Sequence, residues 1–247
     1  MSRSLSQRLT IGLVGLVVLF SLPAQALEWQ GVSLGIKGGA SWSAFTGDGN
    51  FQFKEDLRNS PGVTSFDPDM LVMATGDLFL TIFLYDGALA FQPEAQYIRQ
   101  GEKYNVTTGG TETTLELYTD YLAVPLLVKF YLPVTGFKPN VFFGPSLDIR
   151  LRSRATGVED LPDLPSDTLD TGILASFGTD EDIGDNVNGL DVSLVGGLGF
   201  DIAAGPGFIV LEGRAKLGLT DVFDDVVQSS DFRNWGFSVM GGYAIRF

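Results

Sequence analysis

The stretch WGFSVMGGYAIRF, Trp235 to Phe247, decides the fold. Trp235, Phe237, Val239, Gly241, Tyr243, Ile245 and Phe247 fall on one side of a strand. Gly236, Ser238, Met240, Gly242, Ala244 and Arg246 fall on the other. An apolar row with aromatics at both ends is the pattern of a strand that faces lipid. Twelve steps of about 3.3 Å, tilted by roughly 40°, cover around 30 Å of height, close to the thickness of a lipid-facing band. In hydrocarbon every backbone N–H and C=O must be paired, and strands achieve this only in a closed barrel. The stretch therefore predicts the last strand of a transmembrane barrel.

Working back along the chain, the same period of two predicts seven more strands. They run over about 30–44, 72–85, 88–101, 114–132, 140–153 and 189–202, with a seventh through Ile209 to Leu217. Turn formers separate them in alternation. Asp86-Gly87, Gly136 to Pro139 and Gly205-Pro206-Gly207 are short connections, whereas the gaps after the first, third, fifth and seventh strands are long. This rhythm predicts an all-β, eight-stranded antiparallel up-and-down barrel with long extracellular loops and short periplasmic turns. Pro93, Pro125 and Pro145 are the points at which a bulge could shift the alternation by one residue.

The other end of the chain agrees. Arg3 and Arg8, the apolar run Leu9 to Leu22 and then Ala24-Gln25-Ala26 have the charge, core and cleavage site of a secretory signal peptide over residues 1–26. The barrel domain is then 27–247. Its 31 glycines and 19 phenylalanines suit alternating strands with tight turns and aromatic girdles. The precursor carries a net charge of -14, and removal of Arg3 and Arg8 leaves -16. That surplus argues against nucleic acid or anionic lipid as the partner.

Placing the polar face of each strand inward sends Lys37, Lys129, Arg150, Arg152, Arg214, Lys216 and Arg246 into the lumen. Asp77, Glu94, Asp148, Asp191, Asp201 and Glu212 join them there. Eight strands leave an interior just wide enough to be filled by side chains, so these charges are expected to pair as a packed polar plug. A narrow ion path through the same core is the alternative.

The chain contains no histidine and no cysteine, which excludes Ser-His and Cys-His nucleophiles. A carboxylate-only hydrolase built on Glu94, Asp191 and Glu212 is opposed by the Arg and Lys beside them, which hold such groups ionised. No catalytic site and no cofactor are expected. The segment 154–187 holds nine acidic residues against the single Arg154. Within it, Asp180, Asp182 and Asp185 offer hard oxygen ligands for calcium or magnesium, which could bridge to lipopolysaccharide phosphates. A solvated, self-repelling loop is the plainer expectation.

Several stretches resemble the outer-membrane β-barrel domain family that includes the PorT-like proteins, and the small eight-stranded barrels of the OmpA and OmpX type. They are Gly31 to Ala40 (GVSLGIKGGA), Phe91 to Gly101 (FQPEAQYIRQG), Asp120 to Tyr131 (DYLAVPLLVKFY), Val141 to Leu147 (VFFGPSL), Val195 to Phe200 (VGGLGF) and Asn234 to Phe247. The resemblance implies a monomer in the bacterial outer membrane, in contact with its lipid and lipopolysaccharide. It also implies delivery by the barrel assembly machinery, with Tyr243, Ile245 and Phe247 carrying the signal. The reading is a structural or surface-recognition barrel acting through its extracellular loops. A passive channel and a secretion-associated barrel are the alternatives, and a soluble lipocalin-like carrier would require the two faces to be reversed.

Overall fold

The computed structural model describes residues 31–60, 62–84, 87–132, 137–156, 187–222 and 231–247. The strands are β1 (Val32–Thr46), β2 (Val63–Leu84), β3 (Leu89–Thr108), β4 (Thr111–Tyr131), β5 (Phe137–Thr156), β6 (Leu190–Ala204), β7 (Gly207–Gly218) and β8 (Arg233–Arg246). Each pairs antiparallel with the next, and β8 returns to β1 to close the barrel. One helix, α1 (Asp48–Asn59), lies between β1 and β2. The segment 1–26 and the acidic residues Asp180, Asp182 and Asp185 lie outside the described residues.

Along the lower part of the barrel the alternation is regular. Leu34 and Ile36 of β1, Leu194 of β6, Leu211 of β7 and Phe237 and Val239 of β8 are exposed, while their sequence neighbours are buried. An apolar exterior around a polar interior is the reverse of a soluble barrel. At the seam, the Gly242 position has no room for a side chain, because a Cβ there would collide with the Ile36 carbonyl oxygen. Close backbone approach lets β8 and β1 pair over the full length from Ser33–Arg246 to Thr46–Arg233.

Three features correct the sequence reading. First, β2 begins at Val63 and β3 runs to Thr108, so much of what reads as loop is strand. The expected long gap after β3 is a tight turn through Gly109 and Gly110, both at positive φ. Second, Asp48–Asn59 is helical rather than a loop. Asn50, Phe53 and Leu57, three and then four residues apart, form one buried side of α1. Third, Arg152 does not enter the lumen. Asp120 pairs with Arg152 and Tyr121 with Arg150, so Leu151 is skipped as a bulge and the alternation of β5 flips above it. Arg150 keeps the inner parity, whereas Ser153 and Ala155 turn inward and Arg152 and Arg154 outward.

A second bulge falls in β2. The pairing moves by one residue between Met70–Glu102 and Gly76–Tyr97. Pro93, Pro125 and Pro145, by contrast, leave the register on both sides of them unchanged.

The long strands extend beyond the apolar band. Twenty residues at about 3.3 Å and a tilt of roughly 40° reach about 50 Å, against a band of roughly 25 Å. In this protruding part the chemistry inverts. Tyr104, Val106, Leu115 and Leu117 point inward, while Lys103, Asn105, Thr107, Glu112 and Thr114 lie on the outer side. Water on the outside selects polar residues there, so the interior is free to be apolar.

Candidate functional site: a lumen closed at three levels

The middle of the lumen is an ionic network. Lys37 Nζ lies 2.7 Å from Glu94 Oε1, 2.8 Å from Glu212 Oε2 and 3.5 Å from Asp77 Oδ2. The Arg214 guanidinium donates to both Glu94 oxygens, at 2.8 and 3.1 Å, and to Glu212. Lys129 donates to Glu212 at 2.9 Å and stands 4.0 Å from Asp201. Gln92 extends the network by donating to Glu94 at 2.6 Å and accepting from Thr81 at 2.8 Å. These groups come from β1, β2, β3, β4, β6 and β7, so the network crosses the barrel in every direction. Desolvating so many charges is costly, and mutual contact at short distance offsets that cost. Asp77 is the exception, because its oxygens accept no hydrogen bond and it is held by the nearby charges alone.

A second polar layer lies toward the extracellular side. Asp148 is paired with Lys216 at 2.9 Å and accepts from Ser146 and Ser193, each at 2.7 Å. Asp191 accepts from Tyr121 and from Thr220, and Asn234 donates to the Tyr121 hydroxyl at 3.3 Å. A void of about 10 Å³ between the layers, lined in part by Ser41, Gln96, Gln100 and Ser238, is room for about a single water.

Aromatic packing closes both ends. Toward the periplasmic turns Phe79, Phe83, Tyr131 and Phe208 form one cluster with Ala90, Val210 and Ala244. The cations of Lys138 and Arg246 lie 5.8 and 5.6 Å from the Phe83 ring. At the extracellular mouth Phe53 and Leu57 of α1 pack with Phe45, Tyr104, Val106, Leu115, Leu117 and Phe232. Glu102 ties this lid to the wall, accepting from Lys54 at 2.6 Å, from the Tyr104 hydroxyl at 3.0 Å and from the Phe45 N–H at 3.3 Å. Asn50 donates to the Phe45 carbonyl at 2.7 Å, which fixes the start of the helix.

The structure therefore places Lys37, Glu94, Lys129, Glu212 and Arg214 in one network, and Asp148 and Asp191 in the layer above. Glu94 and Glu212 meet around shared cations, while Asp191 stands apart from them. The mouth lid escaped sequence reasoning. Its signal was present in Asn50, Phe53 and Leu57, but Gly47 and Gly49 beside them read as turn. At the end of β8 the Tyr243 hydroxyl donates to the Ala204 carbonyl at 2.8 Å, Ile245 and Phe247 are exposed, and the Phe247 N–H donates to Val32 at 2.8 Å.

Residues 24–224 match the family described as outer membrane protein beta-barrel domain. No curated protein matches the chain. Among solved structures, OprG from Pseudomonas aeruginosa is 16% identical over 89% of this chain and 97% of its own, with a TM-score of 0.45. Neisserial surface protein A is 12% identical over 88% and 100%, with a TM-score of 0.40. The outer membrane protease OmpT from Escherichia coli is 10% identical over 90% and 98%, with a TM-score of 0.33. Scores this low carry no argument, so the assignment rests on the family match and on the closed ring of eight strands. The chain belongs to the outer membrane protein β-barrel domain family and is a protein of the bacterial outer membrane.

Proposed function

We propose that this protein is a closed, non-catalytic barrel with a structural or surface-recognition role, exercised through its extracellular end. The observation that carries the reading is the obstruction of the lumen at three successive levels: aromatic floor, ionic middle and helix-capped mouth. A solute path would have to break the Lys37, Arg214 and Glu212 contacts and also displace Phe53 and Leu57. Rigid walls that continue past the membrane suit a platform that holds loops at a distance from the lipid surface. The absence of histidine and the cationic partners of Glu94 and Glu212 speak against hydrolysis at these carboxylates.

The test is conductance in planar bilayers. The purified barrel is expected to give no discrete current steps, and neither is a variant with neutral glutamine at Lys54. Reproducible unit conductance that changes on Arg214→Gln would overturn the closed reading in favour of a narrow channel. On the same reading the protein is a monomer, exported after removal of 1–26. Its last strand would be recognised by the barrel assembly machinery through Tyr243, Ile245 and Phe247. Deleting Phe247 is then expected to lower the amount of heat-modifiable barrel in the outer membrane without changing synthesis.

A further inference from the structure

The bulge at Leu151 brings together an outer-face cluster that the plugged-barrel reading does not use. Arg99 of β3, Asp120 of β4 and Arg152 of β5 are direct neighbours across three strands. All three point away from the lumen. Arg99 donates to the two Asp120 oxygens at 2.6 and 3.1 Å, and Arg152 donates to Asp120 Oδ2 at 3.2 and 2.8 Å. The Arg99 guanidinium also lies 4.0 Å over the ring of Tyr118. Tyr118 pairs with Arg154, which shares the outer parity. Two guanidiniums therefore hold one carboxylate, and a third, that of Arg154, stands at the next outer position of β5 beside Tyr118. Lys103, one step farther from the membrane, already sits between Asp69 and Glu116 across its neighbouring strands.

The height of the cluster gives it meaning. Immediately below it lie Tyr97, Leu122, Ile149 and Leu151, all exposed, which form the last apolar row of β3 to β5. Immediately above it the exterior becomes polar with Asn105, Thr107 and Thr114. The arginines thus occupy the level of lipid headgroups in the outer leaflet. In a chain of net charge -14 a cationic spot at this level is not a by-product of composition. Asp120 binds each guanidinium through its Nε edge and one Nη, which holds the planar forks in place. A guanidinium has five N–H donors and a geometry that fits phosphate oxygens in pairs. The side chain of Arg152 remains 42% exposed while so held.

We propose that Arg99, Arg152 and Arg154, with Tyr97 and Tyr118, bind a phosphate group of a phosphorylated outer-leaflet glycolipid directly. The apolar row would pack its acyl chains, the arginines its phosphate, and no bridging metal ion would be needed. This differs from contact through cations held by the acidic loops.

The experiment measures lipid retained by the intact barrel. Wild type and the triple variant Arg99→Gln/Arg152→Gln/Arg154→Gln are purified in mild detergent, and bound phosphorylated glycolipid is quantified by mass spectrometry. Only material that remains heat-modifiable is compared, with Arg154→Gln alone as the fallback if the triple variant does not fold. The wild type is expected to retain the lipid, and the triple variant about tenfold less, or the single variant measurably less. Enzymatically dephosphorylated glycolipid is expected not to be retained by either protein, and Arg233→Gln, at the same end of the barrel but across the ring on β8, is expected to behave as wild type. Equal retention by wild type and variant would overturn the proposal. So would loss of the lipid in EDTA, which would indicate metal bridging, or its complete displacement by millimolar inorganic phosphate, which would indicate a free-anion site.

Discussion

Within one strand the membrane-level wall and the protruding mouth obey opposite rules. In β3, Gln92, Glu94 and Gln96 face inward at the level of the apolar band, with Phe91 and Tyr97 outside. Ten residues on, Tyr104 and Val106 face inward, with Lys103 and Asn105 outside. The backbone does not change, since the pairing of β3 with β4 is continuous from Leu89–Phe130 to Thr108–Thr111. What changes is the medium outside. Lipid demands an apolar exterior and leaves polar groups to satisfy one another within, whereas water permits an ordinary hydrophobic core. The molecule is one sheet that is an inside-out barrel below and a soluble barrel above.

The largest effect expected from breaking this arrangement is in the ionic layer. Arg214→Leu leaves Glu94 and Glu212 short of a buried partner, which costs about 3–5 kcal/mol. Urea titration of the barrel in detergent, followed by tryptophan fluorescence, is expected to show this as a lower midpoint. A midpoint equal to that of wild type would mean that water enters the layer. Next comes the outer surface. Leu198→Arg, on the lipid-facing side, is expected to cost about 2–4 kcal/mol in the same titration. Thr107→Arg, on the outer face of the protruding part, is expected to stay within about 0.5 kcal/mol. Equal penalties at the two positions would contradict the division between lipid and water.

Smaller and more local is the lid. Leu57→Ala removes a fully buried side chain from the mouth cluster, at about 2 kcal/mol. Because α1 joins the barrel only at the mouth, the loss is expected as faster proteolysis within Asp48–Asn59 while heat-modifiability persists. Smallest is Lys54→Met, which removes a partly exposed pair with Glu102 and is expected to change stability by no more than about 1 kcal/mol. A larger shift there, measured by the same proteolysis, would make Glu102 rather than the apolar cluster the main anchor of the lid.

The inversion also explains which parts of the molecule were legible in the sequence. Strands predicted as polar inside and apolar outside stop where that pattern reverses, at about Gly101 in β3 and Val72 in β2, although the strands themselves continue. The lumen residues were legible because Lys37, Glu94, Lys129, Glu212 and Arg214 lie where the alternation is strict. Arg152 was not, because a bulge of one residue moves a side chain to the opposite face and leaves no trace in composition. The prolines misled in the other direction, since all three fit the ladder without changing its register.

The sequence by itself determined the strand count, the closed topology and the membrane-facing side, because period-two alternation and tight turns are local properties that each segment states alone. It also excluded imidazole chemistry by containing no histidine. Only the tertiary structure decided which charges meet across the lumen, that α1 closes the mouth and that Arg99, Asp120 and Arg152 share one outer patch. Those outcomes depend on register between strands distant in sequence, and register is set by the packing of the whole ring.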